Sequence, residues 1–103
     1  MGILDIFKKK KEDFPFKESP NLATFTCVHV INKERPILYV SHDLDGDWQF
    51  LCGDNHTTAE ARIINLEEAF KLDNSISELV NMNRGEIAER ENVQSNWQIK
   101  VKK

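Results

Sequence analysis

Clusters of apolar side chains, and the changing distance between them, divide the chain into short blocks. Residues 22–32 (Leu-Ala-Thr-Phe-Thr-Cys-Val-His-Val-Ile-Asn) are rich in β-branched and aromatic types, which suit a pleated, half-buried surface and predict a first strand. Residues 37–42 and 48–52 are two further β-prone runs, and the Asp45-Gly46 pair between them favours a positive-φ hairpin turn. That turn places Ser41 opposite Phe50 and Asp43 opposite Trp48, and it predicts an antiparallel meander for the first three strands. Residues 61–65 predict another short strand.

The spacing then becomes helical. Leu66, Ala69, Phe70 and Leu72 fall on one face, and Asn65-Leu-Glu-Glu68 has the capping-box pattern that starts a helix. Ser75-Ile-Ser-Glu78 offers a second start, with Ile76, Leu79, Val80 and Met82 as its buried side and Asp73-Asn74 as the break. Asn83-Arg84-Gly85 reads as a turn, and residues 86–91 and 96–101 as closing strands around a loop at 92–95.

Ahead of this domain, residues 2–11 predict a short helix with Ile3, Leu4, Ile6 and Phe7 as an apolar patch and a lysine tail. Pro15 and Pro20 make 12–21 an extended connector. The expected organisation is thus an N-terminal helix and connector over 1–21 and one α+β domain over 22–103. Its expected core is an antiparallel sheet of about five strands with one or two short helices on one face.

Charge narrows the choice of partner. Residues 1–12 carry a net +2, whereas residues 43–91 carry a net −8. An acidic middle repels phosphates, so nucleic acid is excluded as the expected partner and a basic protein surface is favoured. No hydrophobic run has the length of a membrane span, and Met1–Phe7 is too short for a secretory core, so stable membrane insertion is not expected. Gly2 lacks the Ser or Thr that a myristoylation signal would place at Ile6. The expected compartment is the cytoplasm, where Cys27 and Cys52 would stay reduced.

Two constellations carry candidate chemistry. Cys27 and His29, two apart on one predicted strand, combine with His42, Cys52 and His56 into a set of soft and borderline donors suited to zinc. No paired C-x-x-C knuckle supports them, so an ordinary buried cysteine and hydrogen-bonding histidine compete with that reading. Asp43, Asp45 and Asp47 alternate at the hairpin tip, but the glycine comes too early and Asp54 stands where an EF-hand closes with Glu. No nucleophile elbow, phosphate loop or metalloprotease motif is present, and no catalytic residue is expected. Trp48, Trp97 and Arg90 belong to types enriched both in cores and on recognition surfaces.

Cys27-Val-His29-Val, Ile37-Leu-Tyr-Val-Ser-His-Asp43, Gly46-Asp-Trp-Gln-Phe-Leu-Cys-Gly53 and Gly85-Glu-Ile-Ala-Glu-Arg90 with Trp97 together resemble a family of small uncharacterised bacterial domains. Some classifications place that family among the immunity proteins of polymorphic toxin systems. The resemblance covers residues 22–97, and Ile87 departs from it where relatives often carry an aromatic residue. It implies a compact α+β domain, no enzyme activity, and stoichiometric binding of a partner protein. The leading expectation is therefore a non-enzymatic interaction protein without a cofactor, using Asp43, Asp45, Asp47, Trp48, Arg90 and Trp97. The alternative is a small metal- or ligand-binding domain, with zinc held by the Cys/His set.

Overall fold

The structure, a computed structural model, describes residues 14–54 and 57–102. Six strands are present: β1 (Ala23–Cys27), β2 (Tyr39–His42), β3 (Trp48–Leu51), β4 (Ala61–Asn65), β5 (Glu86–Glu89) and β6 (Gln98–Val101). They form one sheet in the order β4-β1-β3-β2-β5-β6. Every neighbouring pair is antiparallel except β1 and β3, which run parallel with Phe25 beside Gln49 and Thr26 beside Phe50. The α+β class holds, but the sheet is mixed rather than antiparallel, and all six predicted strand runs join it where about five strands are expected. The predicted helix at 2–11 lies outside the described residues. Among the described residues no helix is long and apolar enough to cross a membrane.

The meander is corrected in two places. The predicted strand at 22–32 stops at Cys27, and Val28–Ile31 form a single helical turn, α1, closed by the Asn32 N–H donating to the Val28 carbonyl at 2.9 Å. Lys33 then takes a left-handed conformation, with φ at 60°, and ends the turn. β-Branched residues prefer strands, but the turn buries Val30 in the core, and that tertiary gain outweighs the local preference. Because α1 redirects the chain, the β2–β3 hairpin docks on β1 through β3 rather than β2. Trp48 and Phe50 of β3, both 0% exposed, gain cover from strands on both sides.

The hairpin register also moves by one residue. Ser41 faces Gln49 and His42 faces Trp48, in place of the predicted Ser41–Phe50 and Asp43–Trp48 pairs. The Asp43 N–H donates to the Asp47 carbonyl at 2.8 Å, and the Gly46 N–H to the Asp43 carbonyl at 2.9 Å. Only Gly46 of the Asp45-Gly46 pair has positive φ, so the connection is a turn followed by a left-handed glycine, not a two-residue loop. A one-residue shift exchanges the two faces of a strand. His42 therefore joins Trp48 on the core side, and Asp43 turns to the other side with Ser41 and Gln49.

Helical segments cover the Trp48 face. α2 (Leu66–Leu72) starts at the predicted capping box, with the Glu68 N–H donating to Asn65 Oδ1 at 2.8 Å and the Asn65 N–H to Glu68 Oε1 at 2.9 Å. A 3₁₀ segment follows over Asn74–Leu79, capped by Asp73, whose Oδ1 accepts from the Ser75 N–H at 2.9 Å. Leu66, Ala69, Ile76, Leu79 and Met82 bury themselves against Val40, Trp48, Phe50 and Ala88. Phe16, from the predicted connector, joins this core edge-on to Trp48 at 5.4 Å between centroids.

Candidate metal centre

Strand direction decides which of the five sequence-predicted donors meet. β1 and β3 are parallel neighbours, so their C-terminal ends lie at the same end of the sheet. Cys27 is the last residue of β1, and Cys52 directly follows β3. In a meander the two strands would be separated by β2, roughly 10 Å apart at two strand spacings. α1 turns immediately after Cys27 and carries His29 back towards the pair. The donor atoms of Cys27, His29 and Cys52 all lie within 4.8 Å of one another.

His42 does not belong to this group. β2 runs antiparallel to β3, so its last residue sits beside Trp48 at the start of β3, away from Cys52. There the imidazole stacks on the Trp48 ring, 4.0 Å between centroids and 11° between planes. Its Nδ1 donates to the Met82 carbonyl at 2.9 Å, since that oxygen only accepts, and Nε2 lies 4.0 Å from Glu18 Oε2. His56 lies outside the described residues.

Both thiols are buried, Cys27 to 1% and Cys52 to 4% exposure, while the His29 side chain keeps 24%. Burial pushes the Cys52 thiol above its ordinary value. The neighbouring Cys27 adds to this through a hydrogen bond and charge, against an opposing pull from Arg35. Arg35 itself pairs with Asp54, two residues beyond Cys52. Glu60 is a contributor that the sequence reading missed. Its Oε1 accepts from the Thr57 N–H at 3.0 Å, and its Oε2 lies 3.6 Å from His29 Nε2. The Thr57-x-x-Glu60 capping spacing was the available signal for it.

The raised thiol has a consequence for the metal-free protein. Unfolded Cys52 ionises near the ordinary value of 9.0, whereas the folded thiol holds its proton to higher pH. Stability from this group is full below 9.0 and is lost as pH rises through the folded value. Urea denaturation of metal-free protein between about pH 8 and pH 10 should show a decline that Cys52→Ala flattens.

The other predicted site residues separate by exposure. Trp48 is wholly buried, and Arg90 is 8% exposed with its guanidinium bonded internally, so neither presents a surface for recognition. Trp97 is half-buried under Arg90, whose Cζ lies 4.2 Å from the ring centroid. Asp45 is exposed at the hairpin tip, whereas Asp43 and Asp47 flank a cavity on the open face of the sheet. Comparison of the chain with protein-family models, curated proteins and solved structures found no match.

Proposed function

We propose that this protein is a small metal-binding domain in which Cys27, His29 and Cys52 hold a zinc-type ion that fastens the end of the sheet. The observation that supports this reading is the convergence of two thiols and an imidazole from two chain segments, Cys27-Val-His29 and Cys52, within 4.8 Å. Tetrahedral zinc, with bonds of about 2.3 Å to sulfur and about 2.0–2.1 Å to nitrogen, sets its donors roughly 3.5–3.8 Å apart. Closure from the observed separation needs only about 1 Å of side-chain movement by that geometry. Glu60 facing Nε2 would hold the ring proton there and direct Nδ1 to the ion, the orienting role that carboxylates serve around metal-bound histidine. A structural zinc site is closed by four protein donors, so the fastening role requires one donor beyond Cys27, His29 and Cys52.

Untagged protein prepared without chelator should carry one metal per chain by native mass spectrometry. Cobalt substitution should give a thiolate charge-transfer absorption that Cys27→Ser and Cys52→Ser abolish. With free zinc a hundredfold above Kd, wild-type stability should rise by about 2.7 kcal/mol and that of the variants should not. Binding must displace the Cys52 proton, so the apparent affinity should increase about tenfold per pH unit from this group below its raised value. His56→Ala tests the fourth donor that the sequence offers, four residues after Cys52. Equal metal uptake by wild type and Cys27→Ser/Cys52→Ser would overturn the proposal.

A further inference from the structure

The sheet face opposite Trp48 has a different character from the core side. Phe25 pairs with Ile63 on one side and Gln49 on the other, and Leu51 follows Gln49 by two residues on the same face. Phe25 and Leu51 are half-buried and Ile63 is 67% exposed, which leaves an apolar strip across β4, β1 and β3. Among the described residues the helices α2 and Asn74–Leu79 pack on the Trp48 side. A cavity of about 420 Å³ lies over this strip, with Phe25, Leu51 and Ala61 among its lining and Asp43, Asp47 and Gln49 at one end.

The carboxylate of Asp43 is held in place. Ser41, itself 1% exposed, donates its hydroxyl to Oδ1 at 2.5 Å, and Gln49 Nε2 donates to Oδ2 at 2.8 Å. These donors are neutral, so they fix the position of the charge without cancelling it. Among the described residues no lysine or arginine pairs with Asp43 or Asp47. Arg84 packs its guanidinium against Gly46 and shares a second cavity with His42 and Asp43, but it makes no ion pair with Asp43 or Asp47. A fixed negative charge beside an open apolar strip matches a lysine or arginine side chain, whose aliphatic stem seeks apolar contact while its head seeks a carboxylate.

We propose that this face is the docking surface for a basic, amphipathic segment of a partner protein. A Lys or Arg stem lies across Phe25 and Leu51, its cation reaches Asp43 and Asp47, and a flanking apolar residue covers Ile63. The docking surface adjoins the proposed metal centre without sharing its chemistry: the carboxylates lie at the hairpin end of the cavity, and Cys27 lines it at the opposite strand ends.

The test titrates the full chain with the extended probe acetyl-Val-Lys-Leu-Lys-Val-amide, and with its Glu-for-Lys counterpart, while following backbone amide resonances. The lysine peptide should shift the Phe25, Gln49 and Ala61 amides, and the glutamate peptide should not. Asp43→Asn/Asp47→Asn, near-isosteric at both positions, should weaken the lysine peptide about tenfold, and raised salt should mimic the loss. Asp45→Asn makes the same kind of charge change at the exposed tip and should leave affinity within twofold. Equal affinity for the two peptides, an unaffected double variant, an Asp45→Asn loss as large as the double variant's, or no groove shift at millimolar lysine peptide would each overturn the proposal. Persistence of the groove shifts in the zinc-free Cys52→Ser variant, whose changed residue does not line the cavity, would keep the two sites distinct.

Discussion

Arg90→Ala should lower the stability of this domain by about 3–5 kcal/mol, the cost of removing one member of a buried ion pair. The magnitude follows from how many segments the guanidinium joins. Nη2 donates to Asp73 Oδ2 at 2.6 Å and to the Ile37 carbonyl at 2.8 Å, Nε donates to the same carbonyl at 3.1 Å, and Nη1 donates to Ser75 Oγ at 3.0 Å. The guanidinium also lies over the Trp97 ring. Truncation leaves a carboxylate and a carbonyl without their donor and uncovers the indole at once. A domain of this length has a total stability of about 5–15 kcal/mol, so the loss is a large fraction of it.

Lysine should recover only part of that loss, because an ammonium cannot span the fork between Ile37, Asp73 and Ser75 or stack flat on Trp97. The Arg90→Met/Asp73→Asn pair should be more stable than the sum of its single changes predicts, since the second change relieves the charge that the first strands. Urea midpoints of the four proteins measure this coupling. A cost below about 1 kcal/mol for Arg90→Ala would instead mark the contact as a surface-type pair.

The sequence made the elements legible and left their assembly concealed, and the cysteines show why. Composition and spacing alone located β3, β4, α2 and its capping box, because Trp48, Phe50, Leu66 and Ala69 follow the local periods of strand and helix. Strand order depends on contacts distant in sequence. Nothing within residues 22–52 says that α1 would turn the chain so that β3, not β2, lies against β1. Yet that single choice brings Cys52 to Cys27, whereas His42 lies at the other end of the sheet in either order because β2 runs antiparallel to β3.

The hairpin shows the same limit on a finer scale. Asp45-Gly46 announces a turn, but the number of residues in the loop sets the register, and one residue decides the face for every side chain that follows. With the observed register, Asp43 becomes a fixed carboxylate above the open face. With the predicted register it would have shared the face of Trp48. Charge counting thus identified the acidic hairpin, while the distinction between Asp43 and Asp47 at the cavity and Asp45 at the tip required the fold.

Trp48→Ala is expected to match Arg90→Ala in size, at about 3–5 kcal/mol, for a different physical reason. The indole is the shared wall of an aromatic cluster: it stacks parallel to Phe50 at 5.8 Å, receives the edge of Phe16 at 5.4 Å and carries the His42 ring at 4.0 Å. Central strands on both sides keep the backbone from collapsing into the space, so alanine leaves a cavity rather than a repacked core. The change also removes the Nε1–H that donates to Glu18 Oε2 at 3.1 Å, which ties the segment before β1 to the sheet. Trp48→Phe separates the two contributions. It keeps much of the ring volume and loses the donor, and should cost about 1–3 kcal/mol. If the hydrogen bond matters, Glu18→Gln added to Trp48→Phe should cost less than Glu18→Gln in the wild type, because its partner is already gone. A Trp48→Ala protein that unfolds at nearly the wild-type urea concentration would mean that the cluster closes over the gap, and that the sheet is less rigid around β3 than its central position implies.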